Sequence, residues 1–169
     1  LVEAELSIHP YLLGIWLGDG SSSTPRITES VFDVDGLRDR LISFGYDVAK
    51  PSENHHGAAN MTVYGMMQKF RELNLLHNKH IPAQYLRAGI EQRKMLLRGL
   101  MDSDGTINKK TRQCSFTTTI PALSEGFLEL TRSLGIKAAA LEKSEGEVMK
   151  VSNGATYIRS LAWQISFSC

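Results

Sequence analysis

Apolar and polar positions along the chain follow an order that predicts alternating helices and strands. An apolar run, LLGIWLGDG at 12–20, precedes a Ser- and Thr-rich stretch that is typical of strands with one polar face. A second helical pattern at 37–44 ends at Gly45, and strand patterns follow at 46–49 and 61–64. The first half is therefore predicted to fold as helix, two strands, helix and two strands.

The same order occurs again in the second half of the chain. The run LRGLMDSDG at 97–105 aligns with 12–20, and Asp104 follows Asp19 by 85 residues. A Ser- and Thr-rich stretch, a helical pattern ending at a glycine and further strand patterns come after it, as in the first half. A match across this many elements indicates an internal duplication. We therefore expect an α+β fold of duplicated αββαββ half-domains, with one motif helix at the start of each.

The repeat also predicts how the chain is divided. We expect a single domain at 1–169, with half-repeat 1 at about 8–76 and half-repeat 2 at about 93–169. A connecting segment at about 77–92, broken by Pro82, joins the two half-repeats.

Small residues recur on one face of the two motif helices. Gly14 and Gly18 are four residues apart and share a helix face, as do Gly99 and Ser103 in the second copy. Small residues at this spacing let two helix backbones approach closely. We therefore expect the motif helices to pack together, and each to end at a glycine in the left-handed conformation.

This packing would bring two carboxylates together. Asp19 and Asp104 each stand at a helix C-terminus, where the helix dipole is already negative. The two side chains would repel each other unless a cation joined them, and oxygen ligands of this kind suit hard divalent ions such as Mg²⁺. Paired metal ions are a known device for phosphodiester hydrolysis.

Composition excludes several classes of protein. Hydrophobic residues make up 42% and charged residues 22% of the 169 positions, as in ordinary globular domains. No apolar run approaches the roughly 20 residues of a membrane span, and the first residues lack a signal-peptide pattern. Two cysteines are too few for a disulfide framework, so we expect plain thiols and an intracellular location.

Charge is unevenly distributed along the chain. The net charge is only +1, but a basic segment at 69–113 carries ten basic and four acidic residues. Such a segment indicates a polyanionic partner. Lysine suits phosphate contacts, whereas arginine, glutamine and asparagine suit base edges. The residues that we expect to contact DNA are Asn108, Lys109, Lys110, Arg112 and Gln113, with Arg26 in the first half.

With these motifs the chain resembles the LAGLIDADG homing endonucleases, in particular the double-motif domains inserted in inteins. Both nonapeptides and the KHIP element at 79–82 between them carry the resemblance, which covers nearly the whole chain. It implies a monomer with pseudo-two-fold symmetry. The motif helices would lie at the interface of the halves, and two antiparallel sheets would form a saddle over double-stranded DNA.

The resemblance also implies roles for individual residues. The metal-binding acids would be Asp19 and Asp104, holding Mg²⁺, for which Mn²⁺ can substitute, with help from the backbone carbonyls of Gly18 and Ser103. Lys79 matches the basic residue beside the metals, which supports the attack on phosphate as a base or by stabilising charge.

A second basic residue is expected from symmetry. Counting the interval from Asp19 to Lys79 onward from Asp104 leads to Gln164, which carries no charge. We therefore expect Gln164 to take the mirrored catalytic position and the two DNA strands to be cut unequally. The other basic candidates in the second half are Lys137, Lys143 and Lys150.

The function that these features predict is site-specific, metal-dependent cleavage of double-stranded DNA. We expect an enzyme derived from a larger intein-containing host protein, without the splicing residues, because no His-Asn pair precedes the end of the chain. The alternative is a DNA- or RNA-binding module of the same fold, a regulator or maturase, that no longer cuts. A third hypothesis, an inert insertion, conflicts with the charge of the basic segment.

Overall fold

The computed structural model describes residues 3–53, 57–143, 148–150, 156–158 and 161–168, and between 142 and 160 only the backbone is described. The first half contains helix α1 (Pro10–Asp19), strand β1 (Arg26–Ser30), helix α2 (Val34–Ser43), strands β2 (Ser52–Glu53) and β3 (Ala58–Thr62) and helix α3 (Met66–Glu72). Helix α4 (Ala83–Leu86) leads to the second motif helix, α5 (Ile90–Asp104). Strands β4 (Gly105–Asn108) and β5 (Gln113–Thr118), helix α6 (Pro121–Ser133) and strands β6 (Ala138–Lys143), β7 (Val148–Lys150), β8 (Thr156–Ile158) and β9 (Ala162–Ser168) follow.

Two antiparallel sheets confirm the predicted α+β duplication. The first sheet has the order β1-β3-β2 and the second the order β4-β5-β9-β6, while β7 and β8 pair with each other. The three-strand order in the first sheet is repeated by β5-β9-β6 in the second. In both halves a helix, α2 or α6, connects the first of these strands to the others.

The first half departs from the expected pair of strands after its motif helix. Gly20 makes only an isolated bridge to Ile27, whereas Gly105 opposes Phe116 at the start of a regular β4–β5 hairpin. Six residues separate the first pair and ten the second, so the first hairpin is four residues shorter. The shorter connection leaves no length for a second regular strand.

The two motif helices are packed backbone to backbone, as the small residues predict. A Cβ atom added to Gly14 would lie 2.5 Å from the carbonyl oxygen of Leu96, and one added to Gly99 would lie 2.3 Å from that of Tyr11. Nearly all of α1 is buried, including Trp16, which is 0% exposed. The helix pair is therefore part of the hydrophobic core, which also includes residues of both sheets.

This contact leads to a prediction about stability. Gly14→Ala should lower the free energy of unfolding by about 3 kcal/mol, because the added methyl group meets backbone atoms that cannot rotate away. Thermal denaturation should show a midpoint lowered by roughly 6–12 °C. Gly36→Ala is the matched control, since nothing lies within 4 Å of a Cβ there. A Gly14→Ala midpoint equal to that of the control would contradict the close packing.

The glycines that follow the motif helices differ from the expectation. Gly20 has φ −79° and ψ 151°, and Gly105 has φ −86° and ψ 150°, so both are extended rather than left-handed. Both positions need glycine for another reason, which is the lack of space for a side chain. A Cβ on Gly20 would lie 2.3 Å from the Trp16 carbonyl oxygen, and one on Gly105 would lie 2.4 Å from that of Met101. The left-handed conformation is found instead at Gly45, where φ is +86°.

The basic segment does not form one basic surface. Arg93 is buried, and its guanidinium donates to the carbonyl oxygens of Ala88 and Ser133. Three further members, Arg87, Lys94 and Arg98, pair with acidic side chains. Successive residues of a helix point to different sides of it, so basic residues that are neighbours in sequence lie on different faces of the protein.

Two further expectations concern the chain as a whole. Cys114 on β5 is disulfide-bonded, so the prediction of a plain thiol at this position is wrong. Within the described residues, no helix has the length and apolar character needed to cross a membrane.

Candidate active site

Two carboxylates meet where the motif helices end. Asp19 is the last residue of α1 and Asp104 the last residue of α5. The distance from Asp104 Oδ2 to the position of a Cβ on Gly18 is only 3.2 Å, so the Asp104 carboxylate lies against the last turn of α1. The close helix contact upstream therefore places the two acids in one site.

The site makes ionisation of both acids costly. Burial is the main reason that the pKa of Asp19 is raised to about 6, and the negative charges of Asp104 and Glu29 raise it further. Burial also raises the pKa of Asp104, against the effect of the nearby Lys79 ammonium. A divalent cation bound between the two carboxylates would offset the repulsion between their negative charges.

The third predicted residue, Lys79, lies in the same place. Its Nζ donates to the carbonyl oxygens of Gly18 at 3.1 Å and Gly20 at 2.6 Å, and lies 5.2 Å from the centre of the Trp16 ring. Lys79 is only 9% exposed. Burial lowers the pKa of its ammonium to about 8, although the charges of Asp104 and Asp19 oppose that shift. The structure thus brings Asp19, Asp104 and Lys79 together.

The carbonyl expected to help bind metal in the first half already has a partner. Gly18 O accepts from Lys79, so a cation bound there would share that oxygen with the ammonium. In the second half, Ser103 packs against Gly18, and its hydroxyl donates to the carbonyl oxygen of Leu100. The described residues contain no group of three or more His, Cys, Asp or Glu side chains that could hold a metal. The remaining ligands of a cation at the two acids would be carbonyl, water or phosphate oxygens.

Gln164 is not the structural counterpart of Lys79. It is on β9 opposite Thr117, and the corresponding pair in the first sheet is Asn60 opposite Thr28. The strand register therefore makes Asn60, not Lys79, the counterpart of Gln164. Gln164 lines a cleft on the polar face of the second sheet, which also includes Thr106, Asn108, Gln113, Ser115 and Ser166. For the other candidates, Lys137 is exposed, whereas the side chains of Lys143 and Lys150 lie outside the described part of the chain.

The predicted DNA contacts are distributed over both sheets. Arg26 is exposed at the start of β1, and Gln113 is exposed at the start of β5. The turn between β4 and β5 presents three exposed basic residues, Lys109, Lys110 and Arg112. Asn108 has a structural task, because its Oδ1 accepts hydrogen bonds from the backbone N–H groups of Lys110 and Thr111.

Three residues near the site were not singled out by the sequence. Glu29 acts on Asp19 through its charge, and Tyr11 and Arg40 contact Asp102 beside the site. One signal was present in the aligned motifs, because Asp102 stands where the first copy has Leu17. Nothing in the sequence indicated Arg40 or Glu29, since their contacts depend on how α2 and β1 pack beside the motif helices.

A pH-dependent prediction follows from the Asp19 carboxyl. The pKa of Asp19 is about 6 in the folded protein and 3.8 ordinarily. The ionised carboxylate therefore lowers the free energy of unfolding, fully above about pH 6 and not at all well below pH 3.8. Without divalent ions, Asp19→Asn should raise the free energy of unfolding at pH 7.5 by about 1 kcal/mol after solvent screening is allowed for. Thermal denaturation should show a gain of about 2–4 °C that is lost near pH 4.

An exposed acid provides the control for this prediction. Asp39 is exposed on α2, and Asp39→Asn should give the same midpoint as the parent at pH 7.5. If Asp19→Asn lowers the midpoint at pH 7.5, the buried carboxylate is not a source of instability.

Comparisons with known proteins agree with this geometry. A family model described as "Homing endonuclease" matches residues 80–165, half of the chain. The chain is 32% identical over 168 residues to the replicative DNA helicase DnaB of Mycobacterium intracellulare, covering 99% of the chain and 25% of the helicase. It is 25% identical over 201 residues to the homothallic switching endonuclease of Saccharomyces cerevisiae, covering all of the chain and 33% of that protein.

Solved structures share the fold. Variants of the homing endonuclease I-DmoI superpose with a TM-score of 0.60 at 13% identity, covering 95% of this chain and 87% of the other. The chain spans only a quarter to a third of the length of the curated relatives it matches. The family match, the duplicated α+β fold and the paired motif helices lead to one conclusion: the chain belongs to the homing endonuclease family, in its LAGLIDADG form.

Proposed function

We propose that this chain is a site-specific endonuclease that cuts double-stranded DNA with the help of a divalent metal ion. The observation that carries the proposal is the meeting of Asp19 and Asp104 at the ends of two packed motif helices. Among the described residues, neither acid caps a helix N-terminus or forms an ion pair shorter than 4 Å. A structure of an I-DmoI variant in complex with its target DNA in the presence of Mn supports both the partner and the kind of cofactor.

The polar faces of the two sheets are the proposed DNA-binding surface. Alternating strand positions place polar side chains on one face, including Arg26, Thr28 and Asn60 in the first sheet. Gln113, Ser115 and Gln164 do the same in the second sheet. Lys109, Lys110 and Arg112 extend beyond this face in the β4–β5 turn and suit contacts with phosphates. Gln164 thus fits a role in reading bases better than one in catalysis.

Asp19 and Asp104 would hold the metal, either Mg²⁺ or Mn²⁺. When bound, a divalent ion supplies Lewis-acid stabilisation of the charge on the scissile phosphate. The chain's own contribution is a rigid carboxylate pair that is positioned before DNA arrives, because the glycine contacts of the motif helices leave the pair little freedom.

Lys79 would stabilise charge at the reacting phosphate. Two carbonyl oxygens and the Trp16 ring hold its ammonium in one position, so little reorganisation is needed during the reaction. Its lowered pKa, about 8, also lets it exchange a proton with water near neutral pH. In the part of the chain that the structure describes, no second lysine is held in this way at the end of α5. The two strands of the target are therefore expected to be cut at different rates.

The chain is proposed to act as a monomer, because both half-repeats and both acids are present in one chain. Almost all of it matches a quarter of a replicative helicase, which supports an origin as an insertion in a host protein, as inteins are. The retention of Asp19, Asp104 and Lys79 in one site favours a cutting enzyme over a module that only binds nucleic acid.

A metal-dependent cleavage assay tests the proposal. The protein is incubated with a library of long double-stranded DNA sites in Mg²⁺, Mn²⁺, Ca²⁺ or excess EDTA, and the cut molecules are sequenced. We expect cleavage at one family of sites in Mg²⁺ and Mn²⁺, binding without cleavage in Ca²⁺, and no cleavage in EDTA. Full cleavage in EDTA would contradict the metal requirement. Selective binding with no cleavage in any metal would favour the binding-module alternative.

A further inference from the structure

A polar trio joins the two halves of the molecule on one side of the motif helices. It consists of Tyr11 on α1, Arg40 on α2 and Asp102 on α5. The Tyr11 hydroxyl donates to Asp102 Oδ2 at 2.8 Å, and Arg40 Nη1 donates to the Tyr11 oxygen at 2.6 Å and to Asp102 Oδ2 at 3.1 Å. Arg98, also on α5, adds a weaker contact, since its Nε lies 3.7 Å from Asp102 Oδ2. The trio therefore connects two helices of the first half to the motif helix of the second.

The pseudo-symmetric positions on the other side carry three leucines. The motif alignment matches Tyr11 with Leu96 and Asp102 with Leu17. The turns that end α2 and α6 are closed by equivalent backbone bonds, Gly45 N to Ile42 O and Gly135 N to Arg132 O, so Arg40 corresponds to Leu130. All three leucines are at most 1% exposed. One side of the helix pair is thus held by directional polar contacts and the other by apolar packing.

The two kinds of contact constrain the helices differently. The motif helices touch backbone to backbone at Gly14 and Gly99, and this contact sets how close the two helices lie. Apolar packing is non-directional and tolerates small shifts. A hydroxyl and a guanidinium that share one carboxylate oxygen allow a much narrower range of geometry. The polar trio is therefore the more directional of the two kinds of contact beside the helix pair.

The ion pair within the trio contributes little stability. The side chains of Arg40 and Asp102 are 39% and 40% exposed, and ion pairs this open contribute about 0–1 kcal/mol. The Tyr11 ring is buried and its loss would cost stability, whereas Tyr11→Phe keeps the ring and removes only the hydroxyl. A role in orientation can therefore be separated from a role in folding.

We propose that Tyr11, Arg40 and Asp102 are positioning residues that fix the angle between the two halves and thereby couple the two strand cuts. Each half grips its own part of the target, and Asp104 lies two residues beyond Asp102 on the same helix. If the angle between the two halves varies, one DNA strand can reach the acids while the other DNA strand is misplaced. A misplacement of about 1 Å can cost about a hundredfold in rate. The coupling of cuts rests on the proposed endonuclease function, whereas the control of the angle does not.

The test compares the parent with the triple variant Tyr11→Leu/Arg40→Leu/Asp102→Leu, which copies the leucine side. The variant should stay folded and keep its DNA affinity, with a thermal midpoint lowered by the loss of the buried Tyr11 ring. On supercoiled plasmid carrying the target in Mg²⁺, nicked DNA should accumulate to a nicked-to-linear ratio about tenfold above that of the parent, because second-strand cutting slows. The single variant Tyr11→Phe, which removes only the hydroxyl, should move the ratio in the same direction. Arg87→Leu, which removes an ion pair between the connecting segment and α6, is the matched control and should leave the ratio unchanged.

A second measurement is independent of cleavage. Genetically encoded spin labels at the exposed positions Asp35 on α2 and Glu125 on α6 report the distance between the halves by pulsed electron resonance. The distance distribution should be broader in the triple variant and in Tyr11→Phe than in the parent and in Arg87→Leu. An unchanged distribution together with an unchanged product ratio would overturn the proposal. If the parent cuts no DNA, the proposed function fails, and the width of the distribution alone decides the role of the trio. If the triple variant does not fold, Tyr11→Phe decides it.

Discussion

Asp19→Asn and Asp104→Asn should each abolish double-strand cleavage while leaving the affinity for the target site within about tenfold, or roughly 1.4 kcal/mol. The carboxylates are proposed to hold the metal, and the charge that the metal stabilises grows only in the transition state. The loss should therefore appear in the rate of cutting much more than in binding.

The fold should survive both substitutions. Asparagine keeps the volume of the side chain at the tight end of the helix pair and removes the repulsion between the two carboxylates. Circular dichroism and a gel-shift titration in Ca²⁺ would show that the variants are folded and bind the target. Asp39→Asn, at an exposed position on α2, is the control and should cut at the parental rate.

Lys79→Met should slow cutting of the first strand by about a hundredfold or more, the scale of losing one preorganised charge donor. Methionine keeps most of the length and the apolar stem of the side chain but cannot donate to the Gly18 and Gly20 carbonyl oxygens. The acids would also lose the Lys79 charge, which lowers the pKa of both carboxyl groups.

Single-turnover kinetics with saturating enzyme measures this effect directly, because it separates chemistry from product release. Lys109→Met is the matched control, since Lys109 is exposed in the β4–β5 turn and is expected to contact phosphate without taking part in chemistry. It should weaken binding with little change in the single-turnover rate. Equal rates for Lys79→Met and the parent would remove Lys79 from the mechanism.

Local spacing in the sequence was enough to predict the centre of this molecule. Gly14 and Gly18 lie on one helix face because of the helical repeat, and the second copy repeats the pattern at Gly99 and Ser103. The contact between motif helices follows from these positions without knowledge of any other element. The meeting of Asp19 and Asp104 then follows from that contact.

Features that depend on the length of a connection were predicted less well. Counting residues from Asp19 to Lys79 led to Gln164, but the first hairpin is four residues shorter than the second, and the register matches Gln164 with Asn60. A fixed interval cannot follow a repeat once an insertion has changed its length. The prediction of a left-handed Gly20 failed for a related reason, since the extended conformation of Gly20 depends on the strand that follows.

Contacts between distant elements could not be derived from the sequence. Arg40 is 62 residues from Asp102, and only the packing of α2 beside the motif helices brings the two side chains together. The division of the basic segment between faces, with Arg93 buried against carbonyl oxygens, depends on tertiary packing in the same way. The mismatch of Leu17 and Asp102 in the aligned motifs shows where the two halves differ but not what Asp102 contacts.

The most direct test of the central claim is a plasmid time course that compares the parent with Asp104→Asn. Supercoiled DNA carrying the selected site is incubated with each protein in Mg²⁺, and nicked and linear products are resolved at each time. The account predicts that the parent converts the plasmid to linear DNA through a nicked intermediate and that Asp104→Asn, although bound to the site, forms no linear DNA. Linear product from Asp104→Asn at the parental rate would contradict the paired-carboxylate mechanism.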